Sequence, residues 1–528
     1  MDLMKKVLFT LALGVCGKAA VAQLDQLTKG HLSGSFESYT QYYRKDEKID
    51  AIPPPDKIGS NNFFKLDYTY RQFTAGVQYE AYLPAIQGFP FNSTKQNRSE
   101  GKLVNRYFRY AGERLSIQIG DFYEQFGSGL VFRSWENRQI GINNALEGVS
   151  VQAEPVNFLK LKVVYGRPRK YFDYANALVR GADAEINMNE LFTKKPSGNV
   201  NVTGGFSYVS RYQEYTGTAD KFPATVDAWS GRMNIDKGNA SLGVEYVHKA
   251  SDPHTANVYS DEAGKAILIN AAYTAGKFGA NLTYRGMSNM DYRSEREATG
   301  TVLPVNYIPA LTRQNDYLTT NIYVYNAQVA GEAGGQADVF VNLGSSKLSL
   351  NYSQYSALNK PGAILSPGKE LYFRDGSLEW KKRWNAKWQS ILAYHYVNYN
   401  KYIIEGGAHE MVQSHIGLAN ILYKYSPKKS ARLELQHLYT KEDRGNWAAA
   451  VTEWTFAPMW SVYVSDLFNY GVTDTHYYNA GGSVMKNGTR FSLAYGRQRA
   501  GLFCVGGVCR YVPSASGVTA TLTVTFNN

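Results

Sequence analysis

The residues best suited to chemistry in this sequence are charged side chains within one short segment, 120–144. Glu124, Arg133, Glu136 and Arg138 bring both charge signs together there, and interspersed glycines permit sharp backbone turns. Opposed charges that face a lumen can select ions. They can also pair with each other and with strand backbone, and so hold a loop in place. The sequence therefore leaves two predictions for this segment. It is either a constriction of the lumen that acts directly on a solute, or a loop that its own ion pairs hold in place.

A second feature is the pair Cys504 and Cys509 in the sequence C-V-G-G-V-C. Two cysteines at this spacing, with glycines to turn the chain, predict a small disulfide hairpin in an oxidising compartment. A zinc site would need two further ligands near by, which the local sequence lacks. We therefore expect a structural disulfide and no metal at this position.

Catalytic chemistry has little support in the sequence. His409 and His415 are six residues apart, so on one strand they would share a face but lie about 20 Å apart. Asp474 and His476 flank a threonine without the ordered base and nucleophile that covalent catalysis needs. No phosphate-binding loop and no zinc-protease motif occurs in the sequence. The sequence predicts a protein that is not an enzyme and that uses no metal and no cofactor.

The residues discussed above must be positioned by β-strands. The clearest strand pattern in the sequence lies at 518–528. Apolar residues alternate there with threonines, so an extended strand would have one apolar face and one uncharged polar face. This stretch has an aromatic residue near its end, followed by two asparagines. It resembles the terminal strand of an outer-membrane barrel. Leu522, Val524 and Phe526 are accordingly predicted to form the signal that the barrel-insertion machinery reads.

Composition favours a transmembrane β-barrel. The 528 residues include 41 Tyr, 24 Phe and 8 Trp, and only 19% are charged, as expected of a barrel with aromatic girdles at both membrane interfaces. A mean hydropathy of −0.38 fits a barrel because only every second strand residue faces lipid. The formal net charge of +12 is spread along the chain. This spread argues against nucleic-acid binding and favours contact with outer-membrane lipid and lipopolysaccharide.

The chain begins with the features of a secretory signal peptide over residues 1–22. A short basic start precedes an apolar stretch, and Ala20-Val21-Ala22 offers a small-residue cleavage site. Cys16 raises the alternative of a lipoprotein signal, but valine is the wrong residue before a lipidated cysteine. The sequence predicts Sec-type export to a Gram-negative outer membrane, a short periplasmic segment over 23–29, and a barrel over 30–528.

Alternating segments recur from about residue 30, and many are joined in pairs by very short turns. Their number predicts an all-β, antiparallel transmembrane barrel of about 24 strands, within a range of roughly 22 to 26. An even number puts both chain ends in the periplasm, with short periplasmic turns and long extracellular loops. Two assignments stay open: 181–191 fits a strand or a short helix, and 320–329 fits a barrel strand or a loop hairpin.

A barrel of this width needs something in its lumen, because barrels of about 22 strands already carry a plug. Too few residues precede the first strand for a separate plug domain. Loops folded inward, chiefly near 125–145 and 287–335, or a partner protein are predicted to fill the space. The protein would then be a channel or transporter with a loop-restricted lumen. The alternative is a non-conducting structural subunit of a multi-protein outer-membrane assembly, bound to an outer-membrane protein partner.

Three segments carry a resemblance to a known family. They are G-D-F-Y-E-Q-F-G-S-G over 120–129, L-E-G-V over 146–149 and R-G-A-D-A-E over 180–185. Together they resemble an uncharacterised family of Bacteroidota outer-membrane β-barrel proteins, known as a domain of unknown function. The resemblance covers most of the mature chain. It implies location and architecture, and it transfers no catalytic or binding residue.

Overall fold

A computed structural model describes residues 30–91, 98–192, 200–215, 217, 222–409 and 411–527. The predicted signal peptide over 1–22 and the segment 23–29 lie outside these residues. Within the described ranges, no helix is long and apolar enough to cross a membrane.

Twenty-four long antiparallel strands form one sheet, which confirms the predicted strand number and fold class. A short additional strand, Asp173–Tyr174, pairs with Arg169 and Lys170. In chain order, the long strands are β1 His31–Tyr43, β2 Ile58–Tyr70, β3 Phe73–Tyr82, β4 Glu100–Ala111, β5 Leu115–Phe122, β6 Leu146–Val156, β7 Leu159–Lys170, β8 Leu178–Asn187, β9 Val200–Tyr212, β10 Thr225–Lys237, β11 Ala240–Lys249, β12 Gly264–Ala275, β13 Phe278–Ser288, β14 Gly331–Leu343, β15 Ser346–Leu358, β16 Pro367–Arg383, β17 Trp388–Tyr399, β18 Val412–Ser426, β19 Lys429–Tyr439, β20 Trp447–Phe456, β21 Trp460–Asn469, β22 Thr475–Lys486, β23 Thr489–Gln498 and β24 Ala515–Asn527.

The sheet closes on itself. Each strand pairs with its neighbours in chain order, and β24 pairs with both β23 and β1. In the closing pair Phe526 lies opposite Gly34, and Thr519 lies opposite Gln41. Closure leaves no unpaired sheet edge, which is the condition for a β-structure to span a bilayer.

The strands alternate between an apolar outer face and a more polar inner face. On β9, the side chains of Phe206 and Tyr208 are 54% and 41% exposed, whereas those of Ser207 and Val209 are fully buried. Because successive strand residues face opposite sides, the exposed residues lie on the outside of the barrel. Exposed apolar residues recur around the outer wall, and they include Phe108, Ile119, Val163, Leu282, Leu350, Leu435, Val464 and Leu493. This outer apolar belt is the surface that faces lipid in a transmembrane barrel.

The connections differ between the two ends of the barrel. At one end, here the short-turn end, strands are joined by connections such as 71–72 and 276–277. At the other, the long-loop end, connections such as 123–145 and 289–330 are much longer. This difference matches the predicted division between short turns and long loops.

The remaining elements are short. Two-stranded hairpins pair Gln125–Phe126 with Phe132–Arg133, Glu136–Asn137 with Ile142–Asn143, and Gly501–Val505 with Val508–Val512. The helices are Glu47–Ile49 and Thr255–Asn257, both 3-10, and the α-helices Met188–Phe192 and Lys401–Glu405. All of them except Met188–Phe192 lie in connections of the long-loop end.

Both assignments left open by the sequence are resolved. Residues 181–191 hold the end of strand β8, up to Asn187, and then most of the helix Met188–Phe192. Residues 320–329 form no strand and belong to the long connection 289–330, so they are neither a barrel strand nor a loop hairpin. Their aromatic composition reflects burial instead, because Tyr323 and Tyr325 are 5% and 1% exposed.

Two buried clusters join the long connections to the inner wall. Phe126 and Phe132 of segment 123–145 pack in a cluster that includes Val209 and Val247 of the wall. Segment 289–330 contributes Tyr325, whose ring lies 5.2 Å from that of Tyr355 and 4.9 Å from that of Phe373. These wall residues belong to the inward-facing set, so both segments lie against the inside of the barrel.

Candidate functional site

Glu124, the first of the four charged residues singled out in the sequence, ties segment 123–145 to the wall. Its carboxylate is nearly buried and lies 2.9 Å from the Lys162 ammonium of β7. It also accepts a hydrogen bond of 2.5 Å from the Gln152 amide of β6. A carboxylate satisfied by two neighbouring strands holds the loop in position.

Glu136 and Arg138 form an ion pair of 3.0 Å within the same segment. The Arg138 guanidinium also lies 2.8 Å from the Glu37 carboxylate of β1, and the Gln78 amide of β3 donates to Glu136 at 3.1 Å. Burial alone would lower the pKa of Arg138, but Glu136 and Glu37 outweigh it, and the pKa is raised. The ion pair of Glu136 and Arg138 therefore joins the loop to two strands, to β1 through Arg138 and to β3 through Glu136.

Arg133 differs from the other three, because it makes no ion pair with any described residue. Its guanidinium lies 4.0 Å from the Tyr307 ring centroid and 5.0 Å from that of Trp135. This is a cation–π arrangement. The four residues thus do not converge on one point, and three of them form the loop-locking pairs that the sequence offered as an alternative.

The two cysteines form a disulfide across the hairpin Gly501–Val505/Val508–Val512, where Cys504 and Cys509 lie opposite each other. The hairpin turn contacts segment 289–330. The Tyr307 hydroxyl donates to the Gly506 carbonyl at 3.0 Å, and the Ala310 amide donates to the Gly507 carbonyl at 2.8 Å. The connection 499–514 therefore rests on another loop as well as on the wall.

Two arginines of this connection hold further loops through backbone carbonyls. The Arg510 guanidinium donates to the carbonyls of Gly88 and Gln139, at 2.5 and 3.1 Å. Arg499 donates to the carbonyls of Ala500 and Asn321, at 3.1 and 3.3 Å. Gly88 and the connections 123–145, 289–330 and 499–514 consequently meet at one place inside the long-loop half of the barrel.

Beside this meeting point lies a cavity of about 750 Å³, which we call the outer hollow. The barrel side is lined by strands β1, β2 and β21–β24, with Tyr39, Tyr463 and Tyr477 among the wall residues. The loop side carries Arg138, Arg499, Phe503 and Arg510. Because the wall residues come mostly from the strand halves next to the long loops, the cavity lies in the long-loop half.

A second cavity of about 560 Å³, the inner hollow, lies toward the short-turn end. Its lining includes two ion pairs, Arg313 with Glu379 at 2.5 Å and Arg432 with Glu434 at 2.7 Å. The two cavities adjoin, because both are lined by Leu318, Tyr463 and Ser465. Together they follow the inner wall from one half of the barrel into the other.

Arg499 and Arg510 were missed in the sequence. Both flank the C-V-G-G-V-C hairpin, so a search for charges on either side of that turn would have found them. The buried ion pairs, in contrast, could not be recognised from any local sequence pattern. The buried pairs Glu80–Arg169 and Arg285–Glu332 join positions 89 and 47 residues apart in the chain. Which partners meet there depends on the closed barrel.

The predicted terminal-strand residues Leu522, Val524 and Phe526 lie on β24 at the closing pair. The Phe526 ring covers Gly34 of β1, where an added Cβ would come within 2.4 Å of a ring carbon. On the other face, Thr519 lines the outer hollow. The face of β24 that carries Phe526 therefore packs at the seam with β1, and the face that carries Thr519 lines the lumen.

Comparison with known proteins gives one family match and several structural similarities. A family model described as "Family of unknown function (DUF6029)" matches residues 4–526, which confirms the predicted resemblance to a family without assigned function. The fold is similar to the translocation pore of the P pilus usher PapC, with 11% identity and a TM-score of 0.44 over 94% of this chain and 100% of that one. No curated protein sequence matches the chain.

Two further solved structures show similarity at the same level. The siderophore receptor PirA from Pseudomonas aeruginosa has 9% identity and a TM-score of 0.41, over 94% of this chain and 80% of that one. OccAB3 from Acinetobacter baumannii has 10% identity and a TM-score of 0.36, over 94% of this chain and 99% of that one.

Proposed function

This chain belongs to the family of unknown function whose model covers residues 4–526, and on that premise we propose that it is an outer-membrane channel or transporter. In this proposal, segments 123–145 and 289–330 restrict the lumen and leave a route along one side of it. The signal peptide over 1–22, Sec-type export, a Bacteroidota origin and the absence of enzymatic activity belong to the same proposal. So does an orientation with the short-turn end in the periplasm and the long-loop end outside the cell.

The observation that carries this proposal is the pair of adjoining cavities along the inner wall. A lumen filled for structure alone needs no connected space, since interiors pack to high density and rarely retain large voids. Here cavities of about 750 and 560 Å³ share Leu318, Tyr463 and Ser465 at their junction. We take this junction as the narrowest part of the route.

The four charged residues of segment 123–145 contribute to this function in different ways. Arg138 lines the outer hollow and meets a passing solute directly. Glu136 balances the positive charge of Arg138 and orients its side chain through their ion pair. Glu124 and Arg133 fix the loop against the wall and against Tyr307. The constriction is thus shaped by all four residues, with Arg138 as the one exposed to the solute.

The experiment that tests passage is single-channel recording in a planar bilayer with the purified protein. The wild type is expected to conduct. Ser465→Trp is expected to lower the conductance severalfold, because it fills the junction of the two hollows. Val464→Trp is a matched control, since Val464 is the next residue on β21 and faces outward with 51% exposure. A silent wild type, or equal conductance in both variants, would contradict the proposal.

The second candidate function is a non-conducting structural subunit that holds an outer-membrane protein partner. Buried ion pairs inside the barrel favour it, since Arg285–Glu332 and Glu80–Arg169 are both nearly inaccessible to solvent. Purification from the native membrane in mild detergent separates the two functions. A partner recovered in fixed stoichiometry, together with a silent bilayer, supports the structural subunit, whereas a lone conducting barrel supports passage.

A further inference from the structure

The outer hollow has an unbalanced charge. Its lining contains four arginines, Arg138, Arg497, Arg499 and Arg510, and no aspartate or glutamate among the described residues. The first two arginines are neutralised by neighbouring carboxylates outside the lining. Arg138 pairs with Glu37 and Glu136. Arg497 donates two hydrogen bonds to the Asp46 carboxylate, at 2.6 and 2.9 Å.

Arg499 and Arg510 have no such partner in the part of the chain that the structure describes. The hydrogen bonds of both side chains go to backbone carbonyls, which carry no formal charge. A cation that is partly removed from water without a counter-charge loses hydration, and a bound anion compensates for that loss. Each of these two half-buried guanidinium groups is therefore suited to contact an anion in the cavity.

The pKa values of the two arginines agree with this picture. Burial lowers the pKa of Arg499, and the positive charge of Arg444 lowers it further, although Tyr477 and Glu405 act in the opposite direction. Burial also lowers the pKa of Arg510, opposed by Tyr43. Both guanidinium groups remain charged at neutral pH, because the ordinary pKa of an arginine lies far above neutrality. Attraction to a nearby anion would offset the desolvation cost of either group.

The rest of the cavity is suited to an apolar body. Arg510 lies 6.0 Å from the Phe89 ring centroid and 5.9 Å from that of Phe503. Leu502 and Val512 of the disulfide hairpin also line the space. The volume of about 750 Å³ lies within the range of roughly 300–1,000 Å³ typical of small-molecule sites. The positive charge of Arg510 therefore lies next to the apolar surface of Phe89 and Phe503.

We propose that the outer hollow binds a small organic carboxylate with an aromatic or aliphatic body, held by the guanidinium group of Arg510, while Arg499 adds a second positive charge to the same lining. The planar fork of a guanidinium matches a carboxylate in a bidentate arrangement. The apolar body lies against Phe89, Phe503 and Leu502. This inference rests on the proposed function, because it names the class of solute that enters the route.

The same features select against other solutes. An organic cation would face four arginines without a carboxylate in the lining. A neutral compound would leave the half-buried guanidinium groups of Arg499 and Arg510 without a counter-charge, and an inorganic anion would leave the apolar surface uncovered. A carboxylate attached to a ring satisfies both parts of the site.

The test is isothermal titration calorimetry of the purified, detergent-solubilised protein with benzoate and, separately, with benzyl alcohol as a neutral compound of similar shape. Benzoate is expected to bind, and benzyl alcohol at least about tenfold more weakly. The double variant Arg499→Gln/Arg510→Gln is expected to lose about tenfold or more in benzoate affinity, because charged hydrogen bonds are the strong ones. Equal binding of the two compounds, or unchanged benzoate affinity in the double variant, would overturn the proposal.

Two controls keep this result interpretable. Arg383→Gln removes the same charge from an exposed position at the short-turn end of β16, and it should leave benzoate affinity unchanged. Arg499→Lys/Arg510→Lys keeps the charge without the fork and should recover part of the affinity. If the Gln variant fails the heat-modifiable gel shift of a folded barrel, this Lys variant carries the test alone, and wild-type affinity in it would contradict the bidentate arrangement.

Bilayer recordings separate this inference from the proposed function. Benzoate binding by a barrel that does not conduct would refute passage and leave the carboxylate site standing. Conductance without benzoate binding would support passage and refute the carboxylate site. If both hold, benzoate should reduce the chloride current of the wild type, and the double variant should resist this block.

Discussion

Arg169 of β7 donates two hydrogen bonds to the Glu80 carboxylate of β3, at 2.9 and 2.6 Å, inside the closed barrel. The two side chains are 4% and 2% exposed. The Tyr82 hydroxyl and the Gln78 amide donate to the same carboxylate at 3.0 and 2.8 Å. A fully satisfied buried pair between strands that are not neighbours braces the barrel across its interior.

Breaking this pair should destabilise the barrel strongly. Arg169→Met leaves Glu80 charged, buried and without its partner, which costs about 3–5 kcal/mol. The measurement is the urea midpoint of the heat-modifiable gel shift. Glu47→Gln is the control, because it breaks an exposed pair with Lys45, which should be worth less than about 1 kcal/mol. Similar midpoints for the two variants would show that the buried pair does not brace the barrel.

Glu136→Gln should make the pore more selective for anions. Arg138 lines the outer hollow and pairs with two carboxylates, Glu136 and Glu37. Loss of the Glu136 charge therefore removes the net negative charge of this group and makes the potential beside the route more positive. The reversal potential in a KCl gradient should move toward that of chloride. Arg133→Gln should not change it, because Arg133 packs on Tyr307 and lines neither hollow. A shift in the Arg133 variant alone would place the constriction elsewhere.

The strands could be predicted from the sequence because the bilayer imposes a regular pattern on them. Strand β9 shows this, since Phe206 and Tyr208 face outward while Ser207 and Val209 face inward. The same alternation of outward and inward residues marks each strand in the sequence. Counting these strands predicts their number, and an even number allows the barrel to close. The assignment of 320–329 stayed open because the pattern has another cause there. Tyr323 and Tyr325 look like strand residues because they are buried against inner-wall aromatics such as Tyr399 and Tyr355.

The candidate site was much less predictable, because its residues meet through loops that pack inside a closed wall. Arg510 reaches the carbonyls of Gly88 and Gln139, which are 422 and 371 residues away in the chain. No local pattern indicates such contacts. The charged residues of segment 123–145 stood out because they are close in sequence, yet most of them form pairs with strands. The arginines without a counter-charge could be recognised only once the partners of the others were known.

Loss of the Cys504–Cys509 disulfide should widen and destabilise the outer hollow. Its hairpin contributes Leu502, Phe503 and Val512 to the cavity wall, and its turn accepts hydrogen bonds from Tyr307 and Ala310. Without the cross-link the hairpin gains conformational freedom. Cys504→Ser/Cys509→Ser should therefore give a larger and noisier conductance.

Reduction of the wild type with dithiothreitol should reproduce the effect of the double serine variant. The reductant should have no effect on the variant itself, which excludes an action elsewhere in the bilayer. An unchanged wild-type conductance after complete reduction, checked by thiol labelling, would show that loop contacts alone hold the hairpin.

The last prediction concerns the seam between β24 and β1, where the Phe526 ring lies over Gly34. Gly34→Leu should displace the ring, since even a Cβ would come within 2.4 Å of it, and such overpacking costs about 1–3 kcal/mol. The folded fraction in an assembly assay with lipid vesicles should fall. Gly231→Ala is the control, because a Cβ at that strand position meets no atom within 4 Å.

Comparison with Phe526→Ala then separates two roles of the terminal aromatic residue. Gly34→Leu disturbs the seam and leaves the chain end unchanged, whereas Phe526→Ala alters both the seam and the signal predicted for Leu522, Val524 and Phe526. Equal losses in vesicles without insertion machinery would assign the ring to closure of the seam. An additional loss for Phe526→Ala alone, seen when the machinery is present, would show that the machinery recognises this residue. Equal folding of Gly34→Leu and Gly231→Ala would show that the ring is not needed at the seam.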